Sequence, residues 1–137
     1  MRHRLRIGIV AWLTIFQAFV VPARADDADI AGRAGLAEAE APPASHAGCD
    51  SLPAALDGLV EPERRIDLWI EGVLTLVQTD GALWYLAVCS QPAVRVLCVT
   101  YSDNGMKMGD RVVLRGAYHR QDRVHVLLDP CLASPAE

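Results

Sequence analysis

Long apolar runs are scarce in this 137-residue chain. The longest, from Ile7 to Val21, is broken by Gly8, Thr14 and Gln17 and covers about 15 residues. That falls short of the ~20 needed to span a bilayer as a helix. Close cysteine pairs are missing: Cys49, Cys89, Cys98 and Cys131 contain no C-x2-C, so the usual zinc-ligand spacing is absent. No nucleophile motif, phosphate loop or H-E-x-x-H occurs, and no reaction class is indicated. Aromatics are few. Beyond residue 25 only Trp69, Trp84, Tyr85, Tyr101 and Tyr118 are present. An excess of positive charge is lacking too. The acidic balance repels phosphate backbones and argues against nucleic-acid binding. There is no internal repeat.

What is present begins with an address. Arg2, Arg4 and Arg6 precede the apolar run, and Ala23-Arg24-Ala25 follows it. Basic region, apolar region and A-x-A site stand in the order of a secretory signal, cleaved before Asp26. Residues 1–25 are therefore expected to be removed, leaving a periplasmic or secreted chain with no transmembrane segment. All four cysteines lie beyond the cut, and an even number in a small exported domain implies two disulfides.

The charge is uneven. Residues 26–63 hold nine acids and one arginine, net −8, whereas residues 64–137 hold eight of each sign. Residues 26–48 carry Ile30 and Leu36 as their only large aliphatics, too little apolar surface to offset ordering entropy. They are expected to form a disordered acidic linker. In residues 49–63, Ser51 suits a helix cap and Pro53 a first turn. Leu52, Leu56 and Val60 recur at helical spacing, with Gly58 placed to end the helix early. One or two helical turns are expected there.

From residue 64 the period becomes two. Arg65–Thr79 reads as a long strand with Ile66, Leu68 and Ile70 on one face. Gly72 marks a bulge after which Val73, Thr75 and Val77 take over that face. Asp80-Gly81 suits a two-residue turn. Leu83–Cys89, Val94–Tyr101, Arg111–Arg120 and Arg123–Asp129 follow as strands, the last stopped by Pro130. A three-residue loop, Arg120-Gln121-Asp122, would pair Tyr118 with Val124 and His119 with Arg123. The expected domain is an all-β barrel over residues 64–132 with a tail at 133–137. An open antiparallel sheet backed by the 50–60 helix satisfies the same pattern.

Three stretches carry a resemblance. They are Trp69-Ile70-Glu71-Gly72-Val73, Asp80-Gly81-Ala82-Leu83-Trp84-Tyr85-Leu86, and Met108-Gly109-Asp110-Arg111-Val112-Val113-Leu114-Arg115-Gly116-Ala117-Tyr118. Together they resemble an OB-fold, the small five-stranded β-barrel, over about 65 residues. Behind a signal peptide, the pattern is similar to small periplasmic OB-fold proteins of bacteria. Only about nine residues, Ser102–Asp110, separate the third and fourth strands, where many OB-folds carry a helix.

The resemblance also bears on the disulfides. A tight Ser90–Ala93 loop would pair Cys89 with Val94 and hold Cys98 roughly 13 Å away along the hairpin, beyond disulfide reach. In an OB barrel the third strand borders the fifth, which implies Cys98–Cys131 and leaves Cys49–Cys89. That second bridge would pin residues 50–60 over the outer face of the first hairpin.

Candidate sites follow from surface parity. With Asp80-Gly81 as the turn, Val73, Thr75, Val77, Trp84, Leu86 and Val88 share the inner face. Leu74, Leu76, Leu83, Tyr85, Ala87 and Cys89 then share the outer one. An apolar outer face is an interaction surface or is covered by Leu52, Leu56 and Val60. Trp69, Leu74, Leu76 and Tyr85 are its candidates. The resemblance implies a ligand face on strands two and three, with Tyr85, Arg95 and Tyr101 on it. Arg111, Arg115 and His119 alternate on the fourth strand, and Arg123 and His125 join them. This basic face suits an anionic small molecule, an envelope protein or the acidic segment 26–63, or is simply a solvated strand face. His119 and His125 could instead be drawn as a metal or catalytic pair, but spacing fixes no third ligand. The sequence therefore describes an exported binding module with no cofactor, no metal and no catalytic residue assigned.

Overall fold

The computed structural model describes residues 29–137. The expected signal peptide, its cleavage site and residues 26–28 lie outside the described residues. Seven strands and one short helix are described in full: β1 Leu36–Glu38, β2 Ala47–Gly48, α1 Leu52–Leu56, β3 Ile66–Thr79, β4 Trp84–Val88, β5 Arg95–Thr100, β6 Arg111–Arg120 and β7 His125–Pro135. No helix among them is long and apolar enough to cross a membrane.

Five strands close a barrel. β3 pairs antiparallel with β4 and β4 with β5; β5 runs parallel to β7; β7 pairs antiparallel with β6, and β6 returns to β3. This is the strand order of an OB-fold, as the glycine and alternation pattern implied. The core comes from the inward parity of each strand: Ile66, Leu68, Ile70 and Leu74 on β3, Leu86 and Val88 on β4, Val96 and Cys98 on β5, Val112, Leu114 and Tyr118 on β6, Val126 and Leu128 on β7.

Four expected registers differ, the second hairpin among them, where Val88 is opposite Val96 and Tyr85 opposite Val99 in place of the expected pairing of Cys89 with Val94. The parity of β3 runs unbroken through Gly72, so Leu74 is buried while Val73 is exposed. The irregularity falls between Leu74 and Leu76 instead, and Val77 then packs on the core. Gly72 serves clearance rather than a bulge: a Cβ there would lie 3.0 Å from Val88 Cβ and 3.3 Å from Cys49 Sγ. The first loop spans four residues, not two, with Thr79 opposite Trp84. Asp80 builds it, its Oδ1 accepting from the Ala82 and Leu83 backbone N–H at 2.9 and 2.8 Å. The last hairpin loop is also longer, so His119 faces Leu127 and Tyr118 faces Leu128. β7 does not stop at Pro130. A second register shift opposite Ala117 accommodates the proline, which has no N–H to give the ladder. The strand then continues to Pro135, so the expected tail at 133–137 is mostly sheet.

The largest correction concerns residues 29–48, expected as linker. β1 pairs antiparallel with β3 (Leu36 with Leu68), and β2 pairs parallel with it (Ala47 with Ile70). Ile30, Leu36, Ala37 and Ala47 are buried. Arg33 ties this segment to α1, its Nη1 donating to the carbonyls of Ala55 (3.1 Å) and Asp57 (2.6 Å).

α1 starts at Leu52 after Ser51, with Pro53 in its first turn. Leu52 and Leu56 enter the core, whereas Val60 is 78% exposed. The helix therefore fills the barrel rather than covering the outer face of the β3–β4 hairpin. At the other end, the short Ser102–Asp110 connection has no helix. Met106, 4% exposed, fills the core there, and the loop is clipped to β3 by Gly109 N–H to Leu74 O and Leu74 N–H to Asp110 O, each 2.9 Å.

Two disulfides join Cys49 to Cys89 and Cys98 to Cys131, with Cα–Cα distances of 5.4 Å in both. The second lies where β5 and β7 run side by side, and the first anchors the segment before α1 to the end of β4.

Candidate functional site

Outward parity on four adjacent strands creates one apolar row. Leu76 on β3 is opposite Ala87 on β4, Ala87 is opposite Leu97 on β5, and Leu97 is opposite Leu127 on β7. Leu76, Leu97 and Leu127 are half-buried and Ala87 is buried beneath them. A cavity of about 410 Å³ lies over this row, lined also by Arg95, Gln121, His125 and Val126.

Polar residues border the row on both sides. Arg95 and His125 are opposite one another on β5 and β7. The Arg95 guanidinium forms no ion pair among the described residues. His125 Nδ1 lies 2.8 and 2.9 Å from the two carboxylate oxygens of Asp122. The Val124 backbone N–H and His125 together hold the Asp122 carboxyl below its ordinary range. On the other side, Gln78, Tyr85 and Val99 form the next row. Tyr85 donates its hydroxyl hydrogen to Asp80 Oδ2 at 2.7 Å. The Leu83 backbone N–H, this hydroxyl and the Ala82 N–H lower the Asp80 carboxyl to about 2, and Asp80 in turn raises the Tyr85 phenol.

The expected basic face is divided rather than assembled. Arg111 Nε donates to Glu71 at 2.7 Å. His119 faces Glu61 at 3.4 Å and the Asp129 carbonyl at 3.3 Å. Arg115 lies over the Trp69 ring, 4.9 Å from its centroid. Arg123 sits in the loop after β6, no longer opposite His119, because that loop is longer than three residues. Only His125 of the five joins Arg95. Among the described residues, no group of three ligating side chains able to hold a metal occurs.

The expected interaction face is divided too. Leu76 and Tyr85 stand on the four-strand wall. Leu74 is in the core. Trp69 and Tyr101 line a second groove of about 440 Å³ with Arg65, Asp67, Arg115 and Leu132. There the Asp67 carboxylate is buried and accepts from Arg65 Nε (2.8 Å), Arg65 Nη2 (3.2 Å) and the Glu40 backbone N–H (2.9 Å). Its hydrogen bond raises the Arg65 pKa.

Sequence reasoning missed Leu97, Leu127 and Gln121. The first two carry a readable signal: Arg95-Leu97-Val99 and His125-Leu127 alternate outward, but only the parallel β5–β7 pairing joins them.

No family model and no curated protein matches the chain. Among solved structures, a chain from the crystal structure of the S. pombe Stn1-Ten1 complex is similar, at 17% identity and a TM-score of 0.34. The match covers 51% of this chain and 58% of that one.

Proposed function

We propose that this chain is an exported, non-enzymatic OB-fold binding module. Its ligand is an anionic small molecule or an envelope partner protein, and it binds on the outer wall of β3, β4, β5 and β7. The observation that carries this reading is the half-buried Leu76–Ala87–Leu97–Leu127 row with an unpaired Arg95 at its edge. Strands two and three of an OB barrel, with the loops between strands one and two and between four and five, are the surface such folds use for binding. Here those loops are Asp80–Leu83 and the segment after Arg120, and they bound the same wall. Of the residues expected for an anion site and an apolar hairpin surface, this reading uses Leu76, Tyr85, Arg95 and His125. A guanidinium beside apolar floor suits an anion attached to an apolar group, since the floor contributes burial and the cation orientation.

Export is supported by the basic, apolar and A-x-A order of residues 1–25 and by two disulfides that suit an oxidising compartment. Among the described residues, His119 and His125 contact carboxylates and a carbonyl, and the binding reading takes His125 as part of the wall rather than as a reactive group.

The test is capture from an envelope extract by the mature chain, compared with Arg95→Glu and Leu97→Glu, with circular dichroism confirming that both variants fold. A species retained by the parent, released by salt and lost from both variants is expected. Equal retention by the two variants would remove this wall as the binding surface.

A further inference from the structure

A second wall of the barrel, made by β3, β6 and β7, carries its own set of groups. Trp69 is opposite Arg115, and Arg115 is opposite Leu132, so the three side chains stand in one outward row. His46 stacks against the Trp69 indole at 5.7 Å between centroids, and the Arg115 guanidinium lies over the same ring system. A guanidinium stacked on an aromatic ring is held in place while its N–H donors remain in plane and available. Arg115 forms no ion pair among the described residues.

A second observation points the same way. Trp69 Nε1 is buried and has no acceptor, whereas buried N–H groups in folded proteins nearly always have one. The groove these residues line also holds two large apolar side chains in water: Tyr101 is 84% exposed and Leu132 59% exposed. Of its other charges, Arg65 pairs with Asp67, and Glu40 lines the groove beside them. None of the groove's acceptors is placed on the donors of Arg115 or Trp69, and Tyr101 and Leu132 lack apolar cover.

We infer that this groove binds a carboxylate carried on an apolar or aromatic body. The planar carboxylate matches the guanidinium fork of Arg115. With the guanidinium drawn toward the ligand, the indole N–H gains an acceptor, and the body rests against Tyr101 and Leu132. A dianionic phosphate suits the groove less, because Asp67 and Glu40 line it as well. The ligand's source is either a free organic acid or the C-terminal carboxylate of a peptide.

The test uses the indole N–H resonance of Trp69 in the folded protein, with N-acetyl-phenylalanine as probe, its amide as the uncharged control and inorganic phosphate as the charge-only control. The acid is expected to give a saturable downfield shift. The amide and phosphate should bind about tenfold more weakly, the size of one lost charge-assisted contact. Arg115→Ala should lose the response by about tenfold or more, and Arg95→Ala should leave it unchanged. If Arg115→Ala fails to fold, Arg115→Lys and the exposed Tyr101→Ala carry the test, each weakening the response. A tetrapeptide ending in phenylalanine separates the sources: tighter binding than the single residue marks a peptide terminus, and equal or weaker binding marks a free acid. No saturable shift up to about 10 mM, far weaker than typical ligand affinities, would overturn the inference. So would equal response to phosphate, or a response that survives both Arg115 substitutions.

Discussion

Removing each disulfide in turn should reveal how the two bridges stabilise the barrel. Cys49 and Cys89 are 40 residues apart, and Cys98 and Cys131 are 33 apart. The chain-entropy relation for a closed loop then gives about 3.9 kcal/mol for the first bridge and about 3.7 kcal/mol for the second. Against the ~5–15 kcal/mol of a typical small domain, either loss is a large fraction. Loop entropy alone makes the two double-alanine variants nearly equal. Packing breaks the tie. Cys98 is fully buried and Cys131 nearly so, whereas Cys49 is only half-buried. The Cys98→Ala/Cys131→Ala variant should therefore be the less stable. The assay is equilibrium urea unfolding. With a slope of about 1.3 kcal/mol/M, each variant's midpoint should fall by about 3 M. A loss below about 1 kcal/mol in both variants would refute the entropic reasoning. A larger loss from Cys49/Cys89 than from Cys98/Cys131 would refute the packing order.

Leu36→Ala should cost about 2–5 kcal/mol, because Leu36 is buried against Leu68. Hydrogen exchange should show protected amides in Leu36–Glu38; full exposure there would contradict the docked segment. Met106→Ala should destabilise by a similar ~2–5 kcal/mol, since no other residue of its loop enters the core; thermal unfolding measures it. For Asp80, the folded carboxyl is lowered to about 2 from an ordinary 3.8, so its contribution is complete above about pH 4 and is lost as pH falls toward 2. Carboxyl and amide NMR titration of Asp80, Ala82 and Leu83 should show this transition, Asp80→Asn should abolish it, and a midpoint near 4 would contradict it.

The barrel was legible because its information is local: alternation, turn residues and glycines mark each strand. Registers were less so. A loop's length is not written in its turn residues alone, and Asp80-Gly81 suited two residues while the Asp80 carboxylate builds four. The third hairpin shows why such an error can be harmless. Moving the partner of His119 from Arg123 to Leu127 shifts the register by an even number, which preserves the faces. The linker expectation failed for a different reason. Counting large aliphatics over residues 26–48 ignores how small residues dock. Gly35 sits so close to the barrel that a Cβ would come within 2.5 Å of the Trp69 carbonyl and 2.7 Å of Ala47 Cβ. Close backbone approach substitutes for side-chain bulk, and Leu36 and Ile30 complete the burial. The candidate site was half legible. Arg95, His125, Leu76 and Tyr85 could be named but were not joined: the bordering of third and fifth strands implied by the resemblance places the cysteines, whereas the register that sets Arg95 opposite His125 is not written in the sequence.

The placement of β1 and β2 has a consequence for aggregation. The first half of β3 has β6 on one side, and on the other an edge that the five barrel strands leave open. Leu36–Glu38 and Ala47–Gly48 lie along that edge. Without them the strand would present free N–H and C=O groups, a template for pairing with another chain. The Cys49–Cys89 bridge immediately follows β2 and fixes it there. Oxidation of these two thiols therefore also closes a sticky edge. The reduced chain should be the self-associating form, and folding before the bridge forms is the interval in which this protein is most exposed to polymerisation.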